Sequence, residues 1–297
     1  MTAGPPDWLQ AGTGTRPTQR WGFATDGRLV DLQAARETGD VAAADDAGSL
    51  YRLSRSGEVL AVTRAPHPVR RLALADAGGS AAAVLDDRIV AWLDQRMRVV
   101  WTRELSDEVV SLSMTPLGTH VLASLASGQN VLLDADKRKI ASFESLRPLR
   151  YVTWLVTTPA LIAAADYGFL ARYSWQGEMA WNERLWSPVN DLAATADGRC
   201  IILAGLTHGL QVCDGEGHAQ GSFVLEGTAH RVALTYHSHR IATATLERQV
   251  LLLDAGGGVK WMLHAPDDVI GLRLSPRGDA LVVGLSDGRI VRLALET

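Results

Sequence analysis

The chain is predicted to be all-β: a seven-bladed β-propeller with four antiparallel strands per blade, in which an N-terminal strand closes the last blade. Three observations predict it. Tryptophan returns every eighty residues, at Trp21, Trp101, Trp181 and Trp261. Apolar columns return every forty. Residues 18–297 number 280, which is seven units of forty.

The columns justify the strands. One reads Leu32, Leu72, Leu112, Val152, Leu192, Val232 and Leu272, with Leu29, Val69, Val109, Leu149, Val189, Ala229 and Val269 three residues earlier. Two residues later stand Ala34, Leu74, Met114, Trp154, Ala194, Leu234 and Leu274, the period of two that a strand requires. Within a unit, short Val-, Leu- and Ile-rich runs are separated by turn residues. The last unit reads "VIGLRL", turn "SPRGD", "ALVVGL", turn "SDG", "RIVRLAL". Such runs are strands joined by hairpins, and four of them per forty residues make a propeller blade. The last unit ends after its third run, and its fourth falls at the phase of residues 19–25. "QRWGFAT" is therefore expected to pair with the C-terminal blade and cover its edge.

Wedge geometry explains which residues stand where. Blades crowd at the axis and diverge outward, so inner positions need small side chains. The column Ala44, Val84, Ser124, Ala164, Ala204, Ala244, Gly284 meets that need. The outer column alternates large and small: Trp21, Ala61, Trp101, Ala141, Trp181, Gly221, Trp261. The four tryptophans are expected to pack between blades, each burial contributing about 1.5–3 kcal/mol.

Bulk properties exclude several classes. A net charge of −4 lacks the basic surplus of a dedicated nucleic-acid binder. Lysine occurs only at Lys137, Lys139 and Lys260 against many arginines, a bacterial-like composition. No basic start followed by an apolar run suggests a signal peptide. The longest apolar stretch, "YVTWLVTTPALIAAA", is broken by Thr157, Thr158 and Pro159 and reads as two strands and a turn, not a membrane span. Cys200 and Cys213 form no disulfide framework and are expected to be free thiols. Cytoplasmic residence follows as the expectation, as does a monomer outside its complex. Residues 1–17 are rich in Pro, Gly and Thr and are expected to be a flexible tail, with Trp8 and Leu9 as its one candidate docking motif.

Four third strands end in an apolar residue and Asp: Leu93-Asp94, Leu133-Asp134, Cys213-Asp214 and Leu253-Asp254. Turns between second and third strands carry "DYG" at 166–168 and "SDG" at 286–288. In these features residues 18–297 resemble the WD-repeat family. The chain departs from that family's pattern in lacking the Trp of Trp-Asp and the Gly-His pair at the blade start; His67 and His230 lie only roughly in that region. The order Asp254, Gly257, Trp261 is also similar to repeats of quinone-cofactor (PQQ-type) propellers, in which Trp docks adjacent blades. Cofactor-using members of that group are secreted and usually eight-bladed, so no cofactor is expected here.

Propellers act mostly through loops at one face, which directs attention to the strand-4-to-strand-1 connections. Just beyond them runs the polar column Asp31, Arg71, Ser111, Tyr151, Asp191, Arg231, Gly271. Arg70, Arg71, Arg150, Trp186, Asp191 and Arg231 are the candidate partner-binding residues, since Arg recognises carboxylates bidentately and Trp anchors interfaces. The competing reading makes Asp31–Arg71 and Asp191–Arg231 inter-blade ion pairs. A second column, Arg52, Arg172 and Arg292, is expected to lay its stems on apolar surface with each guanidinium at an acid. His237 and His239 lack a fixed third metal ligand, and "RGD" at 277–279 reads as a hairpin turn. No nucleophile elbow, Walker loop or HExxH occurs, so no catalytic or metal residue is assigned. The function expected is a non-enzymatic scaffold binding another protein, as a peptide or domain, at the loop face. The alternative is a hydrolase or lactonase holding a metal in the central funnel through loop acids such as Asp86, Asp87, Asp107, Glu108, Asp267 and Asp268.

Overall fold

The structure, a computed structural model, describes residues 7–207 and 209–296. Seven antiparallel sheets carry the chain around a central channel. Their first strands are Leu29–Ala34, Val69–Leu74, Val109–Met114, Tyr151–Trp154, Val189–Ala194, Ala229–Leu234 and Val269–Leu274, numbered here as blades 1 to 7. Each first strand contacts the next in cyclic order, and the seventh contacts the first. The ring is closed by Thr18–Ala24, which is the fourth strand of blade 7 and pairs with Arg289–Ala294, setting Trp21 opposite Arg292 and Phe23 opposite Ile290.

Burial follows the wedge. Second strands such as Val41–Asp45 and Ala81–Leu85 are buried throughout, whereas fourth strands such as Val59–Arg64 alternate exposed and half-buried residues. The small-residue column is buried in every blade. At Gly284 a Cβ would stand 2.5 Å from Leu29 and 2.8 Å from Leu32 of blade 1, so the neighbouring blade occupies the space of any side chain.

At the periphery one device recurs. The third-to-fourth-strand hairpins are capped by Asp94, Asp134, Asp214 and Asp254, whose carboxylates each accept two backbone N–H bonds from residues two and four ahead. Ser54 does the same in blade 1, and in blade 4 Ser174 Oγ accepts one such bond, from the N–H of Glu178. Three residues after each cap the chain enters the left-handed region, at Gly57, Met97, Lys137, Gly177, Gly217 and Gly257. A fourth-strand side chain of the preceding blade lies on that residue. Trp21 packs on Gly57 and donates Nε1–H to Arg55 O at 3.0 Å; Trp101 donates to Ala135 O at 2.7 Å; Trp181 packs on Gly217. Where the outer column is small, the residue two positions on takes over. Phe143 covers Gly177, Phe223 covers Gly257, and Thr63 donates to Met97 O. The eighty-residue tryptophan period is thus half of a forty-residue rule that Trp satisfies from one position and Phe or Thr from two residues further on.

One blade boundary has no such hairpin. The third and fourth strands of blade 7 come from opposite ends of the chain, so Trp261 of blade 6 meets no turn there. The N-terminal leader fills the place, which corrects the expectation of a flexible tail over residues 1–17. Thr13–Gly14 adds a fifth strand to blade 6, opposite Met262 and Trp261, after the short 3-10 turn Asp7–Leu9. Leu9 is buried in the core formed by blades 6 and 7, Trp261 is 3% exposed, and Trp8 packs alongside. Gly12 and Gly14 permit the approach, since a Cβ at either would collide with backbone of residues 260–262. Trp8 and Leu9 therefore dock on their own ring; residues 1–6 of the expected tail lie outside the described residues.

Removing residues 1–15, which spares the closing strand, should lower the melting temperature by exposing Trp261. Leu9→Ala alone should cost about 2 kcal/mol in denaturant unfolding. A truncated protein that melts with the full chain would show that the leader contributes nothing. Gly57→Ala and Gly217→Ala should each destabilise by more than about 1 kcal/mol, because Ala is disfavoured at positive φ and its Cβ would meet a tryptophan ring.

Candidate functional site

Six of the seven first strands carry a β-bulge at the start of their pairing with the second strand, just before the residue of the polar column. A bulge re-aims a side chain and opens the ladder. Here Asp31, Arg71, Ser111, Tyr151, Asp191 and Arg231 all line the channel, a cavity of about 320 Å³.

The two acids do not form the expected ion pairs. Asp31 accepts the N–H of Leu32 at 2.7 Å and, across the blade boundary, that of Leu72 at 2.7 Å. Asp191 repeats this with Leu192 at 2.9 Å and Val232 at 3.0 Å. Among the described residues neither lies within 4.0 Å of an arginine nitrogen. Buried backbone donors require partners, and these carboxylates are spent supplying them. Ser111 and Arg231 make the complementary link, donating to the carbonyls of Leu149 at 2.6 Å and Ile270 at 3.0 Å in the following blades.

Arg71 is the exception. Its side chain makes no hydrogen bond or ion pair among the described residues. Burial and the nearby Arg150 charge push its pKa down against the pull of Asp31. Arg150 itself is held by Asp166 at 2.7 Å. The Tyr151 hydroxyl is pushed up to about 12 by burial and by Asp166 and Asp191, so it stays a neutral donor facing the same space. Among the described residues the channel thus offers one cation, Arg71, whose side-chain donors are all free.

The other two candidates sit elsewhere. Arg70 is exposed and pairs with Asp87 of its own blade at 3.1 Å. Trp186 stands on the loop face, 80% exposed, with the Arg184 guanidinium 4.8 Å from its ring. Its loop is nonetheless fixed: Leu185 and Ser187 are buried, Ser187 Oγ contacts Thr207 Oγ1 at 3.0 Å, and Val189 N–H donates to Asp166 O at 2.9 Å.

Sequence reasoning missed the company Trp186 keeps. Leu146, Tyr167, Leu206, Val224 and Leu246 are also exposed, and all belong to strand-4-to-1 loops or second-to-third-strand turns around blades 4 to 6. Both connection types lie at the same face of the ring. The corresponding turns elsewhere carry Asp46, Asp86, Asp87 and Asp287. A signal existed in the forty-residue column Asp46, Asp86, Ala126, Asp166, Leu206, Leu246, Ser286, where two leucines enter turns that are otherwise polar or small.

Other motifs resolve structurally. His239 contacts Thr235 Oγ1 and Arg277 O, Gly278 turns the "RGD" hairpin at positive φ, and the thiols of Cys200 and Cys213 are pushed up by burial, the latter to about 11. Among the described residues no three His, Cys, Asp or Glu side chains gather as a metal site, and no helix is long and apolar enough to cross a membrane.

No family model matches the chain, and no curated protein is detectably similar to it in sequence. Among solved structures it is similar to the β-propeller domain of Cps50 (Swd1) from Myceliophteria thermophila, with TM-score 0.80 and 14% identity over 94% of this chain and 100% of that domain. The fold is a seven-bladed propeller of the kind WD-repeat proteins adopt, and the likeness is one of fold alone.

The His230 imidazole, beside Arg231 at the channel, is pushed down to about 4 by burial and by the Arg231 charge. In the unfolded chain it protonates near pH 6.5. Between these values the unfolded state binds more protons, so this contribution is complete above about pH 6.5 and is lost as pH falls toward 4. His230→Asn should flatten the decline in melting temperature between pH 6.5 and 4.5. A parallel decline in both proteins would rule His230 out as its source.

Proposed function

We propose that this chain is a non-enzymatic platform for another protein, which docks as a peptide or domain on the loop face of blades 4 to 6 beside the channel mouth. The observation that carries the reading is Trp186: a tryptophan 80% exposed on a loop whose flanking residues are buried and bonded. Soluble folds seldom display rigid aromatic surface, and where they do it marks interaction sites. Five further exposed apolar residues lie on the same side of the ring, whereas the second-to-third-strand turns of blades 1, 2 and 7 carry Asp46, Asp86, Asp87 and Asp287. Arg71, uncommitted in the channel, suits a carboxylate of the partner. Residence in the cytoplasm and a monomeric state outside the complex belong to the same reading. The shared propeller fold supports it only in general terms, since function resides in sites carried on folds.

The test is affinity capture of the tagged protein from its own cell extract, alongside two variants. Trp186→Ser with Leu246→Ser removes exposed side chains, so folding should be unchanged and the captured partner lost. Arg71→Glu, at a side chain that makes no bond among the described residues, should weaken capture without lowering the melting temperature. A partner retained equally by both variants would overturn the assignment of this face.

A further inference from the structure

The column Arg52, Arg172, Arg292 contains an unbalanced charge. It lies on the third strands of blades 1, 4 and 7, and two of its members are almost wholly buried: Arg52 is 5% exposed and Arg292 6%. Arg52 is neutralised from within. Asp40 Oδ2 accepts from its Nη2 at 2.8 Å and Nε at 3.3 Å, and the carbonyls of Gly78 and Gln95 accept as well.

The repeat shows what Arg292 lacks. Asp40 stands twelve residues before Arg52; twelve before Arg292 is Ala280. The backbone carbonyl of Gln95 accepts from Arg52 across the blade boundary; the residue one repeat earlier, in blade 1, is Arg55, whose side chain adds a second cation near Arg292. Arg292 Nη1 donates to Gly39 O at 2.8 Å, but among the described residues no carboxylate lies within 4.0 Å of it. Asp279, in the same wall, accepts from Ser275 Oγ at 2.6 Å and pairs with Arg55 only at 3.4 Å. Burial and the charge of Arg55 push the Arg292 pKa down, opposed by Asp279 and Asp40. Arg172, the third member, is half-exposed and can be solvated.

Arg292 borders a cleft of about 320 Å³ between blades 7 and 1, on the first-to-second-strand hairpin side, away from the loop face. Its wall carries five arginines, Arg36, Arg55, Arg273, Arg277 and Arg292, against Glu37 and Asp279. Arg36 is held by Asp76 at 2.7 Å and Arg273 by Gln33 at 2.9 Å, while Glu37 accepts from the Tyr236 hydroxyl at 2.8 Å. Arg292, Arg55 and Arg277 remain with donors to spare. A buried guanidinium without a counter-charge is costly, and a charge-assisted bond to an oxyanion relieves that cost.

We propose that this cleft binds a phosphate-sized oxyanion, either free phosphate or the phosphate group of a small molecule, whose charge does for Arg292 what Asp40 does for Arg52. The proposal stands independently of the loop-face reading.

It is tested by thermal shift and calorimetry of the full chain with inorganic phosphate and with glycerol phosphate, at ionic strength held constant with chloride. Wild type should show a saturable stabilisation. Ala280→Asp, which supplies the missing carboxylate, should raise the melting temperature without phosphate and abolish the response to it. Arg55→Ser with Arg277→Ser, both exposed, should fold normally and bind about tenfold more weakly, the loss of roughly 1.4 kcal/mol. Tighter binding of glycerol phosphate than of phosphate would assign the site to a phosphorylated metabolite, and equal binding to the free ion. Stabilisation no greater than that from chloride, or full phosphate binding by Ala280→Asp, would overturn the proposal.

Discussion

Across every blade boundary two sheet faces meet without a shared backbone ladder, and the rest of the structure depends on how that contact is made. Near the axis the faces are too close for large side chains, which is why Gly284 sits against Leu29 and Leu32. Carboxylates and hydroxyls there reach across to backbone groups at the inner edge of the next blade, as Asp31 does to the N–H of Leu72 and Ser111 to the carbonyl of Leu149. Farther out the faces diverge, and at five of the seven boundaries an aromatic ring laid against the next hairpin fills the gap. The two solutions are coupled through the hairpin cap. Asp254 fixes the turn that places Gly257 under Phe223, so the motif Asp-x-x-Gly followed by Trp records two consecutive boundaries, not one.

Closing the ring through an N-terminal strand solves the edge problem for blade 7 and creates another for blade 6. Joining sheet halves from opposite chain ends removes the one hairpin on which Trp261 would have rested. A large apolar side chain left in that notch forfeits the free energy that its partners elsewhere gain. Leu9, Trp8 and the added strand at Thr13–Gly14 restore cover. The leader is thus a consequence of the closure. Its glycines at 12 and 14, which by composition suggest a linker, are required by close approach to the backbone of blade 6.

Repetition made the architecture legible and also bounded what could be read. A forty-residue period with alternating apolar columns leaves little freedom for anything but a propeller, and the phase of Trp21 located the closing strand. The leader was misread because its instruction is non-local: nothing in "DWLQAGTG" reports that Trp261 is uncovered. The channel acids were misread for a related reason. Column arithmetic placed Asp31 beside Arg71, but a bulge decides where a carboxylate points, and it points at a backbone N–H. Of the candidate residues, Arg71 and Trp186 stand out in space only because their neighbours are satisfied, a property that no single position carries.

The repeat supplies its own control for interpreting departures. Where a column is obeyed, side chains are committed to the ring: the caps to their turns, the outer aromatics to the next hairpin, Arg52 to Asp40. Where a column is broken, bonding capacity or apolar surface remains unspent. Leu206 and Leu246 stand in turns that are otherwise polar or small and leave apolar surface exposed, and Ala280 stands where blade 1 has the Asp40 that neutralises Arg52, so that among the described residues Arg292 has no carboxylate within 4.0 Å. Departures that served packing would be compensated nearby, as Phe143 compensates for Ala141. These are not. Among the described residues, the loop face of blades 4 to 6 and the cleft between blades 7 and 1 are therefore where we propose that a partner and an oxyanion complete the ring.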